Sequence, residues 1–175
     1  MKIYLIRHGE VAHNINKVAT DYDEDLTVNG VSEAQHLLQS VQNIDYDLIY
    51  SSPLQRTLHT AKIINYLNKP IITDKRLIER LSGSLSGHHL EGEDYETYWN
   101  YYSLNQYGTA EDLKLFLQRV YSFLDELKTN HYDTIIIVTH SGVSRAFYTY
   151  FNSIPTDGKL LSLSLKNCEM KTYYL

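Results

Sequence analysis

The chain has 175 residues, 43% of them apolar, and carries a net charge of −5. That length suits one domain, residues 1–175, around a single sizeable core, and the acidic balance disfavours a nucleic-acid surface, which needs a basic face to displace counterions from phosphates. The lone Cys168 cannot form an intramolecular disulfide, Arg7 interrupts the first apolar run too early for a signal peptide, and no apolar stretch approaches a membrane span; a soluble cytoplasmic protein without membrane partners is expected.

Residues 3–6 form a short apolar run that reads as a strand. Val31, Ala34, Leu37, Leu38 and Val41 then recur at helical spacing, and residues 47–51 give a second strand. Ser52 suits an N-cap and Pro53 the first position of a helix carrying Leu54, Leu58, Ala61, Ile64 and Leu67. Residues 70–73 read as a third strand. From 110 to 128 the positions Leu113, Phe116, Leu117, Val120, Leu124 and Leu127 are again helical, and Ile135, Ile136, Ile137 and Val138 make the most strand-like run of all. A further helix starts near Ser141, and residues 161–175 contain stretches that suit an edge strand, which offers a route to a homodimer. Apolar strands alternating with helices imply a three-layer α/β/α sandwich with a mainly parallel central sheet. Residues 82–108 break this rhythm: apolar periodicity fades, and Tyr95, Tyr98, Trp99, Tyr101, Tyr102 and Tyr107 crowd among acids. Such a segment is expected to be a helical or loop insertion over a site.

Ligands of open α/β sheets bind beyond the carboxyl ends of the strands. The first strand ends in Arg7-His8-Gly9-Glu10, the second in Ser51-Ser52-Pro53 shortly before Arg56, and the fourth in Thr139-His140-Ser141-Gly142. Two arginines and two histidines on one rim make a pocket for a tetrahedral dianion, because guanidinium groups bind phosphate oxygens bidentately. Ser51 and Thr27 read better as helix caps than as ligands. Of the remaining histidines, His88 and His89 are adjacent, but no cysteine stands beside them and their spacing fits no known metal motif; no metal or cofactor is expected.

Arg-His-Gly-Glu at 7–10, with Asn14 following, resembles the fingerprint of the histidine phosphatase superfamily, also called the phosphoglycerate mutase-like family. The likeness continues through residues 26–30, 51–57, 77–80 and 138–142, in order. It implies a phosphoglycerate mutase-like fold in which His8 is the nucleophile that becomes phosphorylated. Glu79 would be the proton donor and acceptor, and Arg7, Arg56 and His140 an electrostatic clamp. Asn14, Ser141 and Gly142 would hydrogen-bond phosphate, and Glu10 would support the pocket. Two departures stand out. Many members carry Gly-Trp-x-Asp where this chain has Thr20-Asp21-Tyr22-Asp23, and Glu33 replaces a common glutamine on a helix expected to lie away from the chemistry.

Residues 82–108 contain no lysine or arginine but hold Glu91, Glu93, Asp94 and Glu96. A lid of that composition offers no cation to a second phosphate, which favours hydrolysis of a small phosphate monoester over mutase chemistry. Arg80, within a mutase-like Leu-x-Glu-Arg sequence, together with Lys17 and Arg145, keeps phosphoglycerate mutase-type transfer as the alternative. Its tyrosines suit either a stacking platform for a ring-bearing substrate or inward packing. A non-catalytic protein that captures phosphorylated ligands is a third reading, disfavoured because Arg7, His8, Arg56, Glu79 and His140 are all present.

Overall fold

The most strand-like run of the sequence becomes the middle of the sheet. The computed structural model describes residues 1–19, 21–89 and 91–175; Thr20, the first residue of the 20–23 departure, and Leu90, within the 82–108 insertion, lie outside the described residues. Among the described residues five strands form: β1 (Lys2–Arg7), β2 (Leu48–Ser51), β3 (Ile71–Thr73), β4 (Thr134–Thr139) and β5 (Met170–Tyr174). Their order is β3-β2-β4-β1-β5, parallel throughout except for β5, which runs antiparallel along β1 as the edge strand. The helices are α1 (Ala12–Asn16), α2 (Val28–Val41), α3 (Gln55–Ile64), α4 (Gly92–Tyr98), α5 (Leu113–Leu127) and α6 (Ser141–Asn152).

Alternation along the strands builds two cores. Ile3, Leu5, Ile135 and Ile137 pack against Phe116, Val120 and Leu124 of α5 and Val143 and Phe147 of α6. Ile6, Ile49, Ile136 and Val138 face Leu37 and Val41 of α2 and Ala61 and Ile64 of α3. Because β4 is covered on both faces and paired on both edges, Ile135, Ile136, Ile137 and Val138 are all fully buried, each contributing about 1.5–3 kcal/mol. This is the expected three-layer sandwich.

Two helix starts follow familiar caps. Thr27 Oγ1 accepts from Gly30 N at 3.0 Å, and Asp112 Oδ1 accepts from Lys114 N and Leu115 N. The start expected at Ser52-Pro53 is corrected: α3 begins at Gln55, whose N–H donates to Asp23 Oδ1 at 2.8 Å. A carboxylate from a distant loop takes the capping role, while Ser52 Oγ accepts from Leu54 N at 3.4 Å. Ser51 does not cap either; its hydroxyl donates to Ser52 O.

Candidate active site

Parallel pairing sets Arg7 beside Thr139 and Ser51 beside Val138, so His8, Ser52 and His140 emerge together at one edge of the sheet. His8 N donates to Thr139 O at 2.9 Å, and Ser52 N to Val138 O at 3.1 Å, carrying the ladder one step into the site. A cavity of about 680 Å³ opens there, and Arg7, His8, Asn14, Arg56, Glu79, His140 and Ser141 all line it. Residues scattered over 135 positions are thus brought to one place by the topology alone.

The state of His8 follows from one contact. Its Nδ1 lies 2.7 Å from Gly9 O. A carbonyl only accepts, so Nδ1 carries the hydrogen and Nε2 keeps its lone pair. The ring is 3% exposed, and burial, with the Arg56 and Arg7 guanidiniums nearby, holds its pKa well below the ordinary histidine value. His140 is depressed in the same way, by burial first and then by Arg56 and His8; the two rings meet edge-on at 5.2 Å. Its Nε2 lies 2.9 Å from Ser52 Oγ. Around them the side chains are anchored at one end: Arg7 Nη1 donates to Leu165 O and Arg56 Nη1 to Tyr22 O. Arg7 Nε, Arg56 Nε and His140 Nδ1 are buried with no partner among the described residues. Buried nitrogens are seldom left so, and their convergence beside two guanidinium charges describes an anion site.

Glu79 closes the same cavity from the other side. Its Oε1 accepts from Arg80 N at 2.8 Å, and its Oε2 accepts from Ser141 Oγ at 3.1 Å and from Gly142 N at 2.9 Å. A Cβ at Gly142 would overlap the Glu79 carboxylate and crowd Trp99, which is why glycine stands there. The expectation that Ser141 and Gly142 donate to phosphate is corrected for Gly142: of the two backbone donors, Gly142 N is engaged by Glu79, whereas Ser141 reaches Glu79 through its side-chain hydroxyl and not its backbone N–H. The chain leading to Glu79 is pinned by its carbonyls: Thr139 Oγ1 donates to Leu77 O, and Arg119 donates to Arg76 O, Ile78 O and Glu79 O while paired with Glu111.

A buried neutral imidazole with a free lone pair, an anion cradle and an opposed carboxylate agree with what similar proteins are. A profile of the histidine phosphatase superfamily, branch 1, matches residues 3–173. The chain belongs to the histidine phosphatase superfamily. It is 32% identical to phosphoserine phosphatase 1 of Hydrogenobacter thermophilus over 85% of this chain and 74% of that protein. It is 33% identical to a 2,3-bisphosphoglycerate-dependent phosphoglycerate mutase of Thermoplasma acidophilum over 97% of this chain and 86% of the relative. The alpha-ribazole phosphatase of Shigella flexneri superposes with a TM-score of 0.80 at 27% identity, covering 98% of this chain and 89% of the other.

In this histidine phosphatase the first motif is supported from behind. Thr27 Oγ1 donates to Glu10 Oε1 at 2.8 Å, and Glu10 does not line the cavity. Glu33, expected to lie away from the chemistry, instead accepts from Glu10 N at 2.7 Å; α2 approaches so closely that a Cβ on Gly9 or Gly30 would collide with the facing backbone. Asn167, unremarked in the sequence, donates to His8 O at 3.0 Å and Asn14 Oδ1 at 3.1 Å and lines the cavity. Its signal was indirect: a strand paired antiparallel with β1 brings the residues before it to the end where β1 stops. Ser52 was read from its motif only as a helix cap, and Arg119 carried no motif at all.

The outer wall comes from Lys17, Val18 and Ala19 on one side and from Ser82, Glu91, Gly92, Tyr95, Tyr98 and Trp99 on the other. Asp21 accepts from Ser82 N at 2.6 Å and Gly83 N at 2.7 Å, and Gly87 N and Ala19 N exchange bonds with Ala19 O and His88 O. Glu91, Tyr95, Tyr98 and Trp99 face the cavity. Tyr98 and Trp99 are each 4% exposed, so they pack inward. Arg80 and Arg145 are committed elsewhere: Arg80 donates to Glu111 O and Tyr98 O beneath the Tyr98 ring, and Arg145 donates to Leu161 O and lies 4.1 Å from the Trp99 ring. Lys17 lines the cavity. No helix among the described residues is long and apolar enough to cross a membrane.

Proposed function

We propose that this protein hydrolyses the phosphate monoester of a small molecule through a phosphohistidine on His8. The observation that carries the reading is the Nδ1 contact of His8 with Gly9 O at 2.7 Å, which leaves Nε2 unprotonated among the converging nitrogens of Arg7, Arg56 and His140. In the first step Nε2 forms a bond to phosphorus as the bond from phosphorus to the ester oxygen breaks, and protonated Glu79 passes its hydrogen to the departing alkoxide. In the second, Glu79 takes a hydrogen from water as the water oxygen bonds phosphorus. The phosphorus–nitrogen bond breaks, inorganic phosphate leaves, and neutral His8 and protonated Glu79 are restored. Arg7, Arg56 and His140 stabilise the charge on the transferring oxygens, Asn14 contributes a neutral hydrogen bond, and residues 82–108 act as the specificity lid.

Substrates with one phosphate are favoured because two of the three candidate cations outside the cradle, Arg80 and Arg145, are engaged by backbone carbonyls, which leaves Lys17. Arg80 Nε and Nη1 and Arg145 Nε and Nη2 donate to backbone carbonyls, and residues 82–108 contain no lysine or arginine. The phosphoserine and alpha-ribazole phosphatases among the similar proteins suit this reading, and phosphoserine is a first candidate. Mutase transfer is the second reading, kept by the Thermoplasma acidophilum relative. The test is release of phosphate from nitrophenyl phosphate and phosphoserine in the presence of a chelator, with wild type and His8→Ala, together with trapping of an acid-labile phosphoenzyme. Release and labelling by wild type alone are expected. Equal release by the variant would sink the proposal, and interconversion of phosphoglycerates without net phosphate release would replace it with the mutase reading.

A further inference from the structure

Glu79 sits on a stretch with no regular structure of its own. Residues 78–82 follow the short 3₁₀ turn Lys75–Leu77 and belong to neither a strand nor a helix, yet a group that delivers a proton must be held to within about 0.5 Å. The side chain that holds this stretch is Arg119 of α5, which does not line the cavity. A guanidinium has five N–H groups, and Arg119 commits them all. Nε and Nη2 grip the two oxygens of Glu111 at 2.9 and 2.7 Å. Nη1 donates to Arg76 O at 2.8 Å and Ile78 O at 2.9 Å, and Nη2 also reaches Glu79 O at 3.4 Å. Glu111 extends the hold beyond Glu79: its carboxylate accepts from Leu81 N at 3.1 Å, and its backbone N–H donates to Leu81 O at 2.9 Å.

One peptide unit joins this clamp to the chemistry. Glu79 O, which Arg119 meets, and Arg80 N, which donates to Glu79 Oε1 at 2.8 Å, belong to the same planar trans group and point in opposite directions. Turning that plane away from Arg119 swings Arg80 N away from the carboxylate. We propose that Arg119, braced by Glu111, is a positioning residue that fixes the 79–80 peptide plane and thereby sets the Glu79 carboxyl at the leaving oxygen. This rests on the phosphatase reading and adds to it a pair that never touches the ester. A role in stability alone would lower every rate together; a positioning role acts where Glu79 moves a proton.

The test compares kcat/KM of wild type, Arg119→Lys and Glu111→Gln for phosphoserine and propyl phosphate, whose alkoxides need a proton, with that for nitrophenyl phosphate, whose leaving group does not. This quantity reports transfer to His8 and leaves out the later attack of water. Lysine keeps the charge but has three N–H groups where five are used. In Arg119→Lys the alkyl esters are expected to lose about 10- to 100-fold and nitrophenyl phosphate less than about threefold; Glu111→Gln is expected to fall between. The readout is a ratio of esters on one sample, so loss of folded protein cancels, and Glu111→Gln carries the test if Arg119→Lys does not fold. On a Glu79→Gln background, adding Arg119→Lys is expected to change the ratio no further. With nitrophenyl phosphate, Arg119→Lys is also expected to accumulate the acid-labile phosphoenzyme, because a displaced carboxylate is slow to take the hydrogen from water. Equal losses for all esters, an unchanged ratio, or a further fall on the Glu79→Gln background overturns the inference. Hydrolysis of nitrophenyl phosphate alone by wild type overturns it together with the acid role of Glu79 but leaves His8 in place. No hydrolysis of any ester by folded wild type overturns the phosphatase reading and this inference with it.

Discussion

The cradle and the outer wall of the cavity are built by different means. His8, Arg56 and His140 are at most 3% exposed and extend from strand ends or the helix directly behind them. The backbones of His8 and His140 stand one residue past a strand end, and Arg56 lies in the first turn of α3. The wall is built of loops and the short helices α1 and α4, joined by the two bonds to Asp21 and a few backbone contacts, with His13 and Glu24 partly open to solvent. On the proposed function, groups that must meet phosphorus within tenths of an ångström are placed on rigid elements, whereas the alcohol portion meets the loops and short helices of the wall. The difference separates chemistry from selectivity within one cavity.

That separation can be broken experimentally, most severely at the cradle. Arg56→Ala removes a buried guanidinium aimed at the transferring phosphoryl group, and kcat/KM is expected to fall by about 10²- to 10³-fold for every ester alike. A loss confined to some substrates would show that the cradle also selects. Gly142→Ala displaces the Glu79 carboxylate from its three donors; kcat is expected to fall by about 10²-fold for poor leaving groups. Nitrophenyl phosphate, whose leaving group needs no proton, is expected to suffer much less. Asp21→Ala releases the wall without touching the cradle, so KM for phosphoserine is expected to rise by about three- to tenfold with little change in kcat, read from steady-state kinetics. An equal fall in kcat would mean that the wall also holds the catalytic groups in place.

The smallest effect is on stability. His8 and His140 are held well below the ordinary value of 6.5, so in the folded protein they stay neutral where the unfolded chain would be protonated. The unfolded state therefore binds more protons, and stability present above pH 6.5 is lost as the pH falls below it. Tm is expected to drop by several degrees between about pH 7 and about pH 5, and His140→Gln is expected to show a shallower slope by calorimetry.

Some of this was legible in order along the chain. The apolar strands, the Thr27 cap, and Arg7, His8, Arg56, Glu79 and His140 stand in local patterns whose spacing carries their meaning. Other roles had no local signature. Asp23 caps a helix 32 positions away, Glu33 reaches back to the backbone of the first motif, and Asn167 bridges His8 and Asn14. Arg80 looked like a free cation beside Glu79, yet its guanidinium is turned to carbonyls under Tyr98.

By itself the sequence determined the periodicities that make strands and helices and the residue types that can bind and attack phosphate, since these depend on neighbours a few positions apart. Only the tertiary structure decided which ring nitrogen of His8 is free, where the donors of Ser141 and Gly142 go, which arginines remain available, and that His13 enters the cavity against Glu24. A side chain's hydrogen-bond partner and its solvation are set by groups far away in the chain, and those meet only when the sheet has brought its strand ends together.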